Sequence, residues 1–87
     1  SFLNNQSITS IIDSNTIYLY KLETKIQTLL SYYLPSSKVV KSSDDLSLYK
    51  YIITSDRDFI SYNEQVSKFK LINVFENNYL LVNNSKL

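Results

Sequence analysis

The sequence predicts one small α/β domain of three layers, with a mostly parallel sheet and a C-terminal antiparallel hairpin. Three observations predict it. Strand-like runs alternate with helix-like runs, the pattern of parallel strands joined by right-handed crossovers. The run Tyr51 to Thr54, YIIT, is apolar throughout its first three positions, as suits a strand covered on both faces at the sheet centre. Two further runs, Lys70 to Phe75 and Tyr79 to Val82, are separated only by Glu76, Asn77 and Asn78, so they can pair directly, with Asn-Asn standing in for the usual Asn-Gly turn.

The elements follow in order. Ser7 to Ile12 is a short apolar-periodic run read as an introductory helix, broken by Asp13, Ser14 and Asn15. Thr16 to Lys21, TIYLYK, is dense in β-branched and aromatic residues and makes the first strand. Leu22, Ile26, Leu29, Leu30 and Tyr33 then fall on one stripe of a helix, which Pro35 ends by pushing its predecessor out of helical geometry. Lys38 to Lys41, KVVK, is a short second strand. Ser42 to Tyr49 holds Asp44 and Asp45 at a loose helical turn. After YIIT, Ser55 and Asp58 have capping-box spacing, and Phe59, Tyr62 or Asn63, and Val66 give the next helix its inner side. In the hairpin, Leu71, Val74, Leu80 and Val82 are the expected core residues, so the last strands are required for folding, while Ser85 to Leu87 are dispensable.

Composition narrows the function classes. The chain has 87 residues, enough for a single domain with little core to spare. With 44% hydrophobic and 20% charged residues it is too apolar for disorder, and its apolar runs are too interrupted for a membrane span. It lacks an initiating Met and a signal-type opening, so residues 1–87 read as a domain excised from a longer chain. A formal net charge of +1 with scattered lysines gives no basic footprint, and no nucleic-acid partner is expected. There is no Cys and no His, which removes disulfides, thiolate metal sites and the usual nucleophile–base pairs. There is also no Gly, where average usage of about 7% would give roughly six. Phosphate-cradling loops in their usual Gly-rich form cannot be built, no cofactor is expected, and Asn is the natural substitute in tight turns.

The chemistry-bearing candidates are few. Asp56 and Asp58 in SDRD follow the YIIT strand, where two carboxylates can reach one magnesium ion. The competing reading puts both in the first turn of a helix, capping free amides. A metal-dependent domain of the topoisomerase-primase type would add an acidic residue after the first strand. Glu23 has that place, without the Gly expected beside it. Tyr18, Tyr20, Tyr32, Tyr33, Tyr49 and Tyr51 could form a face for stacking on sugars or meeting lipid headgroups, or could complete the core with their hydroxyls in water. Asn5-Gln6-Ser7 and Asn83-Asn84-Ser85 have glycosylation-acceptor spacing, which an Asn- and Ser-rich chain produces by chance.

The succession TIYLYK, LLSYYLP, KVVKSSDDL, YKYIITSDRDFISY and FKLINVFENNYLLVN resembles the carboxy-terminal soluble domain of bacterial membrane glycosyltransferases of GT-C architecture, the aminoarabinose transferase and dolichyl-phosphate-mannose mannosyltransferase group. The resemblance runs from about Asn15 to Asn83 and rests mostly on apolar positions. It implies a periplasmic domain at the outer face of the cytoplasmic membrane. That domain would sit over the membrane part of its own chain and shape access for a lipid-linked sugar donor or a glycan acceptor. In that family the catalytic carboxylate lies between membrane spans, so no catalytic residue is implied here. The missing Gly departs from the family and leaves sugar and subfamily open.

Overall fold

The computed structural model describes residues 10–11 and 15–87. Apart from Ser10 and Ile11, the helix expected over Ser7 to Ile12 lies outside them. The described elements run β1 (Ile17–Tyr20), α1 (Thr24–Tyr33), β2 (Lys38–Val39), β3 (Tyr51–Thr54), α2 (Arg57–Val66), β4 (Phe69–Phe75) and β5 (Asn78–Asn83). Single 3-10 turns stand at Leu46–Leu48 and Asn84–Lys86. The strands form one five-stranded sheet in the order β2-β1-β3-β5-β4, with β3 at its centre as YIIT predicts. β1 pairs in parallel with β2 and β3, whereas β5 pairs antiparallel with both β3 and β4, so the sheet is mixed within an α/β domain.

Side-chain alternation along the strands sorts the core into two clusters on opposite faces. Ile17, Leu19, Tyr51, Ile53, Leu80 and Val82 pack with Leu30 and Leu34 at the α1 side. Ile52, Leu81 and Phe69 pack with Phe59 and Ile60 of α2. All four residues of β3 are buried.

Three expectations about which residues face inward need correction. On α1 the buried line is Ile26, Leu30 and Leu34, four apart, and Leu29 and Tyr33 flank it in solvent at 49% and 55% exposure. On α2, Asn63 is the one of the expected pair that faces inward, and Val66, expected beside it, is 39% exposed instead. The Asn63 side chain accepts from Phe69 N at 2.8 Å and donates to Phe69 O at 2.9 Å, pairing like an extra strand residue with the start of β4. On β4 the pairing slips between Leu71 and Asn73, leaving Ile72 as an extra residue. That bulge reverses the alternation for the residues that follow it, so Phe75 joins Ile72 on the α1 side while Val74 joins Leu71 on the α2 side, where both are exposed.

Four described residues hold left-handed backbone: Lys21, Ser67, Glu76 and Asn77. Only one of them is Asn, so the expectation that Asn fills the tight turns holds at a single site. The hairpin turn is Glu76-Asn77, one residue earlier than the expected Asn-Asn, because Phe75 pairs with Asn78 and both intervening residues have positive φ, 47° and 65°. This is the two-residue turn whose twist matches the strands. Glu is a costly residue there, since its Cβ crowds the backbone. Glu76→Asn is therefore expected to raise stability by about 0.5–1 kcal/mol in a denaturant melt, roughly half of the left-handed penalty for an ordinary residue.

Candidate functional site

The strand order places a topological switch between β1 and β3. The chain leaves β1 through α1 toward β2 on one side, and leaves β3 through α2 toward β4 on the other. In open α/β sheets the crevice beyond the carboxyl ends at such a switch is where ligands bind. Here those ends carry Lys21 and Glu23 after β1, and Thr54, Ser55, Asp56 and Asp58 after β3.

These side chains bond to one another. Ser55 Oγ donates to Lys21 O at 2.9 Å, tying the two strand ends together and holding Lys21 in its left-handed conformation. The buried Thr54 accepts from Asp56 N at 3.0 Å. Asp56 is the N-cap of α2: its Oδ1 accepts from Asp58 N at 3.2 Å, and its Oδ2 lies 3.5 Å from Lys21 Nζ. Ser55 thus does not take the capping role its spacing with Asp58 suggested. Lys21 holds its proton more tightly than usual, first through the Tyr20 phenol and then through the Asp56 carboxylate. Asp58 is exposed in the first turn of the helix, where its charge complements the helix dipole. Glu23 precedes α1 without a side-chain cap bond. Among the described residues no group of three or more carboxylate, His or Cys side chains forms a metal-binding set, so Glu23 does not join Asp56 and Asp58.

The six tyrosines do not form one face. Tyr18 stacks on Tyr49 with centroids 4.0 Å apart, and Tyr20 meets Phe59 edge-on at 5.7 Å, both with the α2-side cluster. Tyr51 is buried in the other cluster. Tyr32 and Tyr33 stand in solvent at the end of α1, edge to face at 5.1 Å. Burial and the nearby Asp44 raise the Tyr49 phenol above its ordinary value.

Among the described residues the most heavily bonded polar side chain is Asn83, the first residue of the Asn83-Asn84-Ser85 acceptor pattern. Buried at the end of β5, it donates to Ser47 O and Tyr49 O, both at 3.1 Å, and accepts from Ser85 N and Oγ. An amide whose two hydrogens are both donated inside the fold is closed to glycosylation. The clip also anchors the 3-10 turn at Leu46–Leu48, capped in its turn by Asp45, whose acidity rises through two bonds from Ser47. Beside the clip lies an open cleft of about 280 Å³ floored by Phe69, with Lys68 at its margin. The signal for Asn83 was the Asn-x-Ser spacing itself, which also lets a serine close a turn on an asparagine side chain.

No family model, no curated protein and no solved structure matches this chain. Among the described residues no helix is long and apolar enough to cross a membrane.

Proposed function

We propose that this domain is a non-catalytic accessory module of a larger membrane protein, a glycosyltransferase of the GT-C type, held at the periplasmic face of the cytoplasmic membrane. There it would contact the membrane part of its own chain and border the path of a lipid-linked sugar or glycan acceptor. The observation that carries the non-catalytic reading is the use made of Asp56: one oxygen caps α2, and the other faces Lys21. The paired carboxylates of SDRD serve the helix start. The membrane and glycosyltransferase parts of the proposal are supported by the succession of segments along the sequence. One helix packed with each face of the sheet supports the finer reading of a small three-layer domain.

The reading frame upstream of Ser1 tests the membrane assignment. Several membrane spans are expected there, and a hydrophilic upstream segment would overturn it. Magnesium tests the competing metal reading. Titration of magnesium into the domain is expected to leave Tm unchanged, because a ligand that binds only the folded state must raise it. A saturable rise abolished by Asp58→Ala would move the assignment to a magnesium-binding domain using Asp56 and Asp58. Without metal, Asp56→Ala is expected to cost about 1 kcal/mol as loss of the cap, more than Asp58→Ala, which removes only a favourable helix-end charge.

A further inference from the structure

We propose that Tyr18 and Tyr49 form a dityrosine site, at which a one-electron oxidant joins β1 covalently to the segment entering β3. The two rings are stacked, with centroids 4.0 Å apart and planes 22° from parallel. Among the described residues one other pair of tyrosines brings its rings together, Tyr32 and Tyr33, and those meet edge-on at 5.1 Å and 89°. In a near-parallel stack an ortho carbon of one ring lies close to an ortho carbon of the other, whatever the rotation of the rings about the stacking axis.

Composition directs an oxidant to tyrosine. Cys and Met are the side chains whose sulfur oxidants ordinarily attack, and the chain has neither. It also has no Trp and no His, so its eight phenols are the readily oxidised groups that remain. Tyr18 and Tyr49 are both partly exposed, which lets a small oxidant reach the stack. Burial and the negative charge of Asp44 hold the Tyr49 proton tightly, and that same charge favours loss of an electron from the ring.

Each phenol gives one electron to the oxidant and one proton to water, leaving a neutral radical with spin density at the carbons ortho to the oxygen. The two unpaired electrons combine in one carbon–carbon bond between ortho carbons. Each of those carbons then passes its hydrogen to its own ring's oxygen, which restores both phenols. The product is two hydrogens lighter than the starting pair, and the oxidant has taken up two electrons. The bond closes residues 18–49 into a loop, removing conformational freedom from the unfolded chain. It ties down the same segment that Asn83 clips through Ser47 O and Tyr49 O.

Irradiation of the dilute domain with ruthenium tris-bipyridyl and persulfate, in which persulfate takes up the electrons, tests the proposal. A monomer with dityrosine fluorescence and a mass lower by two hydrogens is expected. Cleavage after lysine should then show the peptide ending at Lys21 joined to peptide 42–50, whose one tyrosine is Tyr49. Tyr18→Phe and Tyr49→Phe keep a ring in the stack but remove the hydroxyl, and each is expected to abolish the monomer's fluorescence. Tyr32→Phe combined with Tyr33→Phe is expected to leave it unchanged. Wild-type monomer that gains no dityrosine under irradiation that couples free N-acetyltyrosinamide, or folded Tyr49→Phe that forms as much as wild type, would overturn the proposal.

Discussion

Removing residues 73–87 is expected to leave a chain without a cooperative thermal transition. β5 is not an outer strand: it lies between β3 and β4 and is hydrogen-bonded to both. Its loss uncovers one side of the central strand and leaves β4 with no neighbour. Leu80, Leu81 and Val82, between 1% and 3% exposed, leave both clusters at once. At roughly 1.5–3 kcal/mol for each fully buried aliphatic side chain, these three alone approach the total stability of about 5–15 kcal/mol typical of a small domain. Circular dichroism during heating is the measurement, and a sharp melt in the truncated chain would mean the core lies elsewhere.

The second large effect is expected at Asn83. Asn83→Ala should cost about 2–4 kcal/mol, because the carbonyls of Ser47 and Tyr49 and the amide of Ser85 lose their partner together, each such loss costing about 1–3 kcal/mol where water cannot replace it. Asn83→Asp should do more damage at neutral pH, since a carboxylate would face two carbonyl oxygens. That acid would have a raised folded-state pKa, so its protonated form is the one the fold tolerates. The variant should then be most stable near pH 4 and lose stability as pH rises through the folded-state value. Equal Asn83→Asp and wild-type stabilities at pH 7 would remove the clip from the account. The same bonds revise the expectation for the last residues: Lys86 and Leu87 can be trimmed at little cost, but Ser85 cannot.

Much of this architecture was legible because its signals are local. YIIT announces the central strand through an uninterrupted run of aromatic and branched residues, and Tyr79 to Val82 does the same for β5. The α1 stripe was legible as a face but not as a line. Periodicity groups Leu29 and Tyr33 with Leu30, and only the sheet decides that the row Ile26, Leu30 and Leu34 is the one it covers. The bulge at Ile72 was hidden, because such an irregularity is often marked by Gly and this chain has none. It brings Leu71 and Val74 to one face, but at the edge of the sheet, where no described strand covers them. In SDRD the sequence offered a metal pair and a helix start together. The pairing of Asp56 with Lys21 depends on β1 and β3 being neighbours, a relation no local window contains.

The four left-handed positions bear on the molecule before it folds. A glycine at any of them would relax the native backbone, but it would also loosen the unfolded chain, which then has more freedom to surrender. A polypeptide with no glycine starts from a stiffer, less varied ensemble. Local crowding at Lys21, Ser67, Glu76 and Asn77 is thus partly offset by a smaller entropy loss along the whole length. Replacing Glu76 with Gly should therefore yield less than replacing it with Asn, although glycine fits the turn better.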